Sequence, residues 1–260
     1  MKKLIYSISI VSLIVLGLYT YNHNKVYIKE ASNIKNDIMN DYDDLIIKKG
    51  NDEEKVVALT FDDGPDEDFT PQVLDILKKY NVKATFFVVG EKVQFNPEIL
   101  KMEKEEGHEI GNHTFTHINV EKRNYQEVER EISKTQEAIK KVIDKEPKLF
   151  RPPYRAINKN ICDIIKNKNM NIVLWSNLDP RDWSNPGVYS IVNTIITKVE
   201  NGNIILLHDY NKARTPKSQT IQALETVIPS LQKKGFKFVT VSELIDHVNK
   251  DKEKNHETRN

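Results

Sequence analysis

Two adjacent aspartates in Thr60-Phe61-Asp62-Asp63-Gly64-Pro65 and a His-x-x-x-His pair at His113 and His117 are the residues of this chain best suited to chemistry. One carboxylate and two imidazoles suffice to hold a catalytic zinc-type ion and still leave a position for water. The second carboxylate is then available as a base. Successive residues at the end of an extended segment point in opposite directions, so both aspartates are not expected to grip one ion. Either Asp62 or Asp63 binds metal and its neighbour acts on the water. The histidines, at i and i+4, share one face of a helical turn, which suits a common ion. The plainer alternative is a histidine pair that caps a helix or meets surface acids.

Such residues need a scaffold, and the sequence between residues 55 and 248 supplies an alternating one. Apolar runs at 55–61, 84–89, 108–112, 149–151, 172–176, 203–207 and 238–241 read as strands. Between them lie helical patterns. Val73, Ile76, Leu77 and Tyr80 follow Thr70, the expected cap, and Pro71. Asn96 and Pro97 open a helix that stops before Gly107. Val128, Ile132, Ile139 and Val142 mark a longer one. Ile157, Ile161, Ile164 and Ile165 line the next, and Val188, Ile191, Ile195 and Val199 the one after. Ile221, Leu224, Ile228 and Leu231 line a helix ended by Gly235, and Ser242 is expected to cap a closing helix. Strand–helix alternation gives an α/β fold with a parallel sheet. About seven strands predict a distorted (β/α) barrel, closed or partly closed, with an open doubly wound sheet as the alternative. In a barrel the active site lies at the C-terminal ends of the strands. Asp62, Asp63, His113, Arg151, Asp182 and His208 all fall at or just past such an end.

The flanks read differently. Residues 1–24 hold Lys2 and Lys3 and then an uncharged, mostly apolar run from 4 to 21. That run is near the lower end of the ~17–25 residues a membrane helix needs. No small-x-small cleavage site follows it. The expectation is a single-pass signal anchor with the lysines in the cytoplasm and the rest of the chain outside the cell membrane. A cleaved signal peptide is the alternative, with the same extracellular placement. Residues 25–54 form a charged stalk, 55–248 the catalytic domain, and 249–260 a charged, disordered tail. Cys162 is the sole cysteine, so no internal disulfide exists, and its place in a helical pattern makes it a small buried hydrophobe. A net charge of +1 argues against a nucleic-acid partner. The chain is expected to be a monomer.

Five segments, in order, carry a resemblance: Thr60-Phe61-Asp62-Asp63-Gly64-Pro65, His113-Thr114-Phe115-Thr116-His117, Arg151-Pro152-Pro153-Tyr154, Asp179-Pro180-Arg181-Asp182-Trp183 and Leu206-Leu207-His208. Together they make the middle domain resemble the polysaccharide deacetylases of carbohydrate esterase family 4, the nodulation-type deacetylase homology domain. The resemblance implies that Asp63, His113 and His117 bind one divalent ion, zinc first, with cobalt, nickel or iron acceptable to the same donors. It makes Asp62 the general base, Arg151 the partner that keeps it ionised, and His208 the general acid supported by Asp182. It gives the backbone N–H of Tyr154 to the oxyanion and makes Trp183 and Leu206 an apolar wall for the acetyl methyl. The implied reaction is metal-dependent removal of N-acetyl groups from glycan, with N-acetylglucosamine of peptidoglycan as the expected substrate. N-acetylmuramic acid, chitooligosaccharides, poly-N-acetylglucosamine and acetylated xylan use the same catalytic set. Two rivals come from other classes: an inactive wall-binding module, and a barrel enzyme that cuts the glycosidic bond with two carboxylates and no metal. His23, His108, His247 and His256 fit no motif, and Asp66, Asp68 and Asp209 carry no assigned role. One departure stands out: Arg155 follows Tyr154 where many family members carry glycine, which bears on substrate preference.

Overall fold

The computed structural model of the chain describes residues 36–212, 215 and 217–247, with Lys25 and Asn33 besides. One compact unit ends at Asp43, and its residues 36–41 are helical. The other begins at Asp44 and holds the strands β1 (Ile46–Ile47), β2 (Val56–Asp62), β3 (Thr85–Val88), β4 (Glu109–Asn112), β5 (Leu149–Phe150), β6 (Asn171–Val173), β7 (Ile204–His208) and β8 (Lys237–Phe238). The sheet order is β1-β6-β5-β4-β3-β2-β7, with β8 on the first residues of β2, and every pairing is parallel. Its helices are α1 (Thr70–Lys79), α2 (Gly90–Phe95), α3 (Pro97–Glu105), α4 (Tyr125–Ile143), α5 (Lys159–Asn167), α6 (Val188–Lys198) and α7 (Gln219–Lys233). The two sheet edges approach through irregular bonds. Gly50 N–H donates to Gly202 O at 2.7 Å, and Ser176 N–H donates to Ile204 O at 3.1 Å. The result is the expected distorted barrel of seven parallel strands in line, with the eighth off that path.

β2 sits at the centre, and all seven of its residues are buried, as a strand covered on both faces requires. Its alternation sorts two cores. Val57, Leu59 and Phe61 pack outward with Ile205 and Leu207 against the helices, where Val73, Leu77, Leu224 and Ile228 meet them. Val56 and Ala58 belong to a separate inner cluster with Phe87, Leu149, Val173 and Ile204. The same period of two therefore sends Thr60 and Asp62 inward. Gly111 in β4 leaves room for this arrangement: a Cβ there would lie 2.4 Å from the Phe87 ring.

Several local expectations are corrected. Ile46 and Ile47, assigned to the stalk, form an edge strand on β6; the apolar run Leu45-Ile46-Ile47 in a charged stretch is too short to show a period. Thr70 is not a cap. Helix α1 has Phe69 at that position without a side-chain bond, because the Thr70 hydroxyl is engaged by Asp66 N–H and Asp209. At the closing helix, residues 241–247 follow Thr240, not Ser242; Thr240 and Glu243 bond reciprocally, Thr240 N–H to the carboxylate at 2.7 Å and Glu243 N–H to Oγ1 at 3.3 Å. Ser242 instead bonds Glu109 across the barrel bottom. Among the described residues no helix is long and apolar enough to cross a membrane. The apolar run 4–21 and the tail 249–260 lie outside the described residues.

Candidate active site

The site is assembled at the C-terminal ends of four strands. Asp62 is the last residue of β2, His113 follows β4, Arg151 follows β5, and His208 ends β7 beside Asp62 in register. Arg151 is fully buried inside the barrel. Its guanidinium lies 4.0 Å from the Phe87 ring centroid, and its NH1 group donates to Asp62 Oδ1 at 2.7 Å and to the Thr60 hydroxyl at 2.8 Å. One oxygen of Asp62 is thus fixed. The other, Oδ2, is 3.8 Å from His113 Nε2.

Asp63 does not continue the strand. Its φ of 76° turns the chain, so both carboxylates reach the same space. The alternation argument therefore does not separate the two aspartates; their partners do. Asp63 Oδ1 is buried and makes no hydrogen bond of acceptable geometry, yet His117 Nε2 stands 3.1 Å away and His113 Nε2 3.6 Å away. Donor atoms of the three residues lie within 4.8 Å of one another. His113 Nδ1–H donates to Arg151 O at 2.7 Å, which leaves the Nε2 lone pair facing Asp63. Burial lowers the His113 pKa against the pull of Asp62 and Asp63, which favours the neutral ring a ligand needs. Burial alone would raise the Asp63 carboxyl, but His117, His113 and His208 hold it below the usual carboxylate range. An orphaned carboxylate oxygen facing two imidazole nitrogens fits a divalent ion of the zinc type.

The histidines do not share a helical turn, as the spacing suggests. Residues 113–117 form an irregular loop in which Thr114 and His117 take positive φ values of 66° and 56°. Convergence comes from anchors outside the motif. Asn112 Oδ1 accepts Thr114 N–H at 2.9 Å. Glu131, on α4, accepts Phe115 N–H at 3.0 Å, Thr116 N–H at 2.8 Å and the Thr116 hydroxyl. Sequence reasoning missed Glu131, because one acid on a charged helix face carries no signal of its own. Replacing Glu131 with alanine frees two amides and is expected to weaken divalent-ion affinity about tenfold, the lower end for supporting residues; a chelator-competition titration of the purified protein measures this.

On the opposite wall His208 Nδ1 bonds Asp182 Oδ1 at 2.8 Å. Asp182 also accepts His208 N–H at 2.8 Å, the Thr220 hydroxyl at 2.7 Å and Trp183 N–H at 3.0 Å. Burial would lower the His208 pKa, but Asp182, with help from Asp63 and Asp62, pushes it up to about 10. The arrangement therefore presents an imidazolium across from a carboxylate. Tyr154 has left-handed backbone angles, φ 62° and ψ 14°, and its ring meets His117 edge-on at 4.9 Å. Trp183 is 54 % exposed at the rim, whereas Leu206 is buried in β7, two residues before His208. Arg155 NH1 donates to Trp175 O at 2.9 Å and its guanidinium stacks 4.9 Å from the Trp175 ring. It lines a cleft of about 610 Å³ together with Lys48, Lys198 and Asn203, residues outside the Asp63, His113 and His117 cluster. Cys162 is buried and its thiol is pushed up to about 12, mainly by burial. His108 is buried, accepts Ala84 N–H, and is pushed down to about 4 by burial and Lys83. His247 pairs with Glu54.

Comparison with known proteins identifies the family. The polysaccharide deacetylase family model matches residues 49–173. Over 193 residues the chain is 48 % identical to the peptidoglycan-N-acetylglucosamine deacetylase of Bacillus cereus, covering 74 % of this chain and 89 % of that protein. It is 38 % identical over 200 residues to PdaC, the peptidoglycan-N-acetylmuramic acid deacetylase of Bacillus subtilis, covering 77 % of this chain but only 40 % of that longer protein. The crystal structure of the Bc1960 peptidoglycan N-acetylglucosamine deacetylase superposes with a TM-score of 0.73 at 38 % identity, covering 78 % of this chain and 93 % of that one. The chain belongs to the polysaccharide deacetylase family. It is accordingly a hydrolase.

Proposed function

We propose that this protein removes N-acetyl groups from N-acetylglucosamine units of peptidoglycan with one divalent ion, zinc first, held by Asp63, His113 and His117. The observation that carries the reading is the pairing of that donor set with Asp62, whose Oδ1 is tied to Arg151 and whose Oδ2 faces the same space. When bound, the ion polarises the acetyl carbonyl and acidifies water. Asp62 takes a proton from the water that adds to the carbonyl carbon. The Tyr154 N–H donates to the oxygen that becomes negative. His208 gives its proton to the amide nitrogen as the C–N bond breaks, and acetate and a free amine leave. Asp182 keeps His208 protonated and fixes its ring. Leu206 and Trp183 flank the acetyl methyl. The names of the relatives support a peptidoglycan substrate. So does the N-terminal segment, which on this proposal anchors the catalytic unit outside the cell membrane as a monomer.

The test is acetate release by the full-length protein in detergent, from purified peptidoglycan and from chitin oligomers. Peptidoglycan should be the better substrate, chelator should abolish release, and added zinc should restore it. Release that survives exhaustive chelation would favour chemistry without a metal. Metal binding without release from either polymer would favour the inactive wall-binding module.

A further inference from the structure

We propose that Lys92 is a positioning residue for the metal site, holding the Asp63 turn in its ligand-ready conformation from a seat on the Tyr210 ring. The proposal rests on the reading of Asp63, His113 and His117 as an ion site. Asp63 is a non-glycine residue at φ 76°, a conformation that L side chains adopt uncommonly and that its surroundings must hold. Lys92, the third residue of the short helix α2, donates from Nζ to Asp63 O at 2.6 Å. The bond is to the backbone carbonyl, so it fixes the peptide and leaves the carboxylate for the ion. The same ammonium sits 3.2 Å from the centroid of the Tyr210 ring, an attractive cation–π seat. Tyr210 lies just past β7, two residues beyond His208. One side chain therefore joins the turn after β2 to the loop after β7, and with them the ligand side of the site to the acid side.

The turn is also packed from behind. Asp209 is buried and accepts the Thr70 hydroxyl at 2.6 Å. Its carboxylate lies so close to Gly64 that a Cβ there would come within 2.1 Å of Oδ2. Gly64 O in turn accepts Val89 N–H at 2.9 Å, directly before α2. Asp63 is thus pinned on one side by Lys92, while its neighbour Gly64 is held by Asp209 and Val89.

The sign of the effect separates positioning from simple electrostatics. A lysine ammonium beside a divalent ion repels it, so removing the charge alone would tighten metal binding. Removing a positioning bond would loosen it. The experiment measures zinc affinity of the metal-free full-length protein by competition with a chromophoric chelator, for the native chain, Lys92→Met and Lys92→Arg. The cobalt(II) visible spectrum and the kcat and KM for acetate release are recorded alongside. Lys92→Met is expected to weaken zinc binding about tenfold, alter the cobalt spectrum and lower kcat with KM within about twofold. Lys92→Arg, which keeps a donor and stacks on an aromatic ring, should recover most of the loss. Should Lys92→Met fail to fold, Tyr210→Leu removes only the seat and should weaken zinc about threefold. Unchanged or tighter zinc binding in Lys92→Met, or in Tyr210→Leu if that is the variant measured, would overturn the inference. A native protein that binds no zinc would overturn the metal-site reading itself, a separate outcome.

Discussion

An Asp62→Asn protein is expected to release acetate about 10²–10⁴-fold more slowly than the native enzyme, the usual contribution of a general base, while binding its ion with unchanged stoichiometry. The carboxamide keeps the shape of the side chain and one acceptor oxygen, so the bond from Arg151 NH1 can persist. It has no basicity with which to take a proton from water. Metal content should hold because the donor set does not include Asp62. The substitution also removes the counter-charge of a fully buried guanidinium, whose other hydrogen-bond acceptors are Thr60 and the Val173 carbonyl. Removing one member of a buried ion pair costs about 3–5 kcal/mol when nothing replaces it; the retained oxygen should reduce this. Kinetics, metal analysis and chemical denaturation of the same preparation separate the two effects. A rate close to native would transfer the base role to another group.

The second large effect is expected from Asp182→Asn, read as a pH profile. His208 owes its raised pKa of about 10 to Asp182 first, against burial that would lower it. Neutralising Asp182 should let burial win, so the imidazole loses its proton at neutral pH. The alkaline limb of kcat/KM should then move down by more than one pH unit, and kcat near pH 7 should fall about 10²-fold. A bound cation opposes the contribution of Asp63 and Asp62, so the native limb itself should lie below 10. The same pair links stability to pH. A folded pKa of about 10 above an unfolded value of about 6.5 stabilises the native state fully below about pH 6.5 and loses that contribution as pH rises through about 10. Thermal unfolding of the metal-free protein across this window should show the decline in the native chain and not in Asp182→Asn. An unshifted alkaline limb would remove His208 from the acid role.

The strands were legible because burial writes itself into composition. Seven apolar runs became β2 to β8, and four of the five motifs fell at a strand end as the alternation implied, whereas Asp182 lies in a short 3-10 turn (Asp182–Ser184) well past β6. Strand β1 escaped because two isoleucines on an edge leave no period. Cap assignments at Thr70 and Ser242 failed for one reason: a hydroxyl next to a helix start has several acceptors within reach, and only the fold decides between them. Thr70 turned to Asp209 and Ser242 to Glu109.

The sequence by itself determined which residues hold reactive groups, their order along the chain and the family to which they belong, because residue type and strand-end position are local properties. Only the tertiary structure gave Asp62 and Asp63 different partners. Their adjacency is symmetric until Asp63 turns to φ 76° and Arg151, 89 positions from Asp62 in sequence, takes one of its oxygens. It also decided what brings His113 and His117 together, which is an irregular loop tied to Asn112 and Glu131 and not a helical turn. The Arg151 and Glu131 contacts join residues 89 and 15 positions apart, where spacing carries no information and packing alone sets the distance.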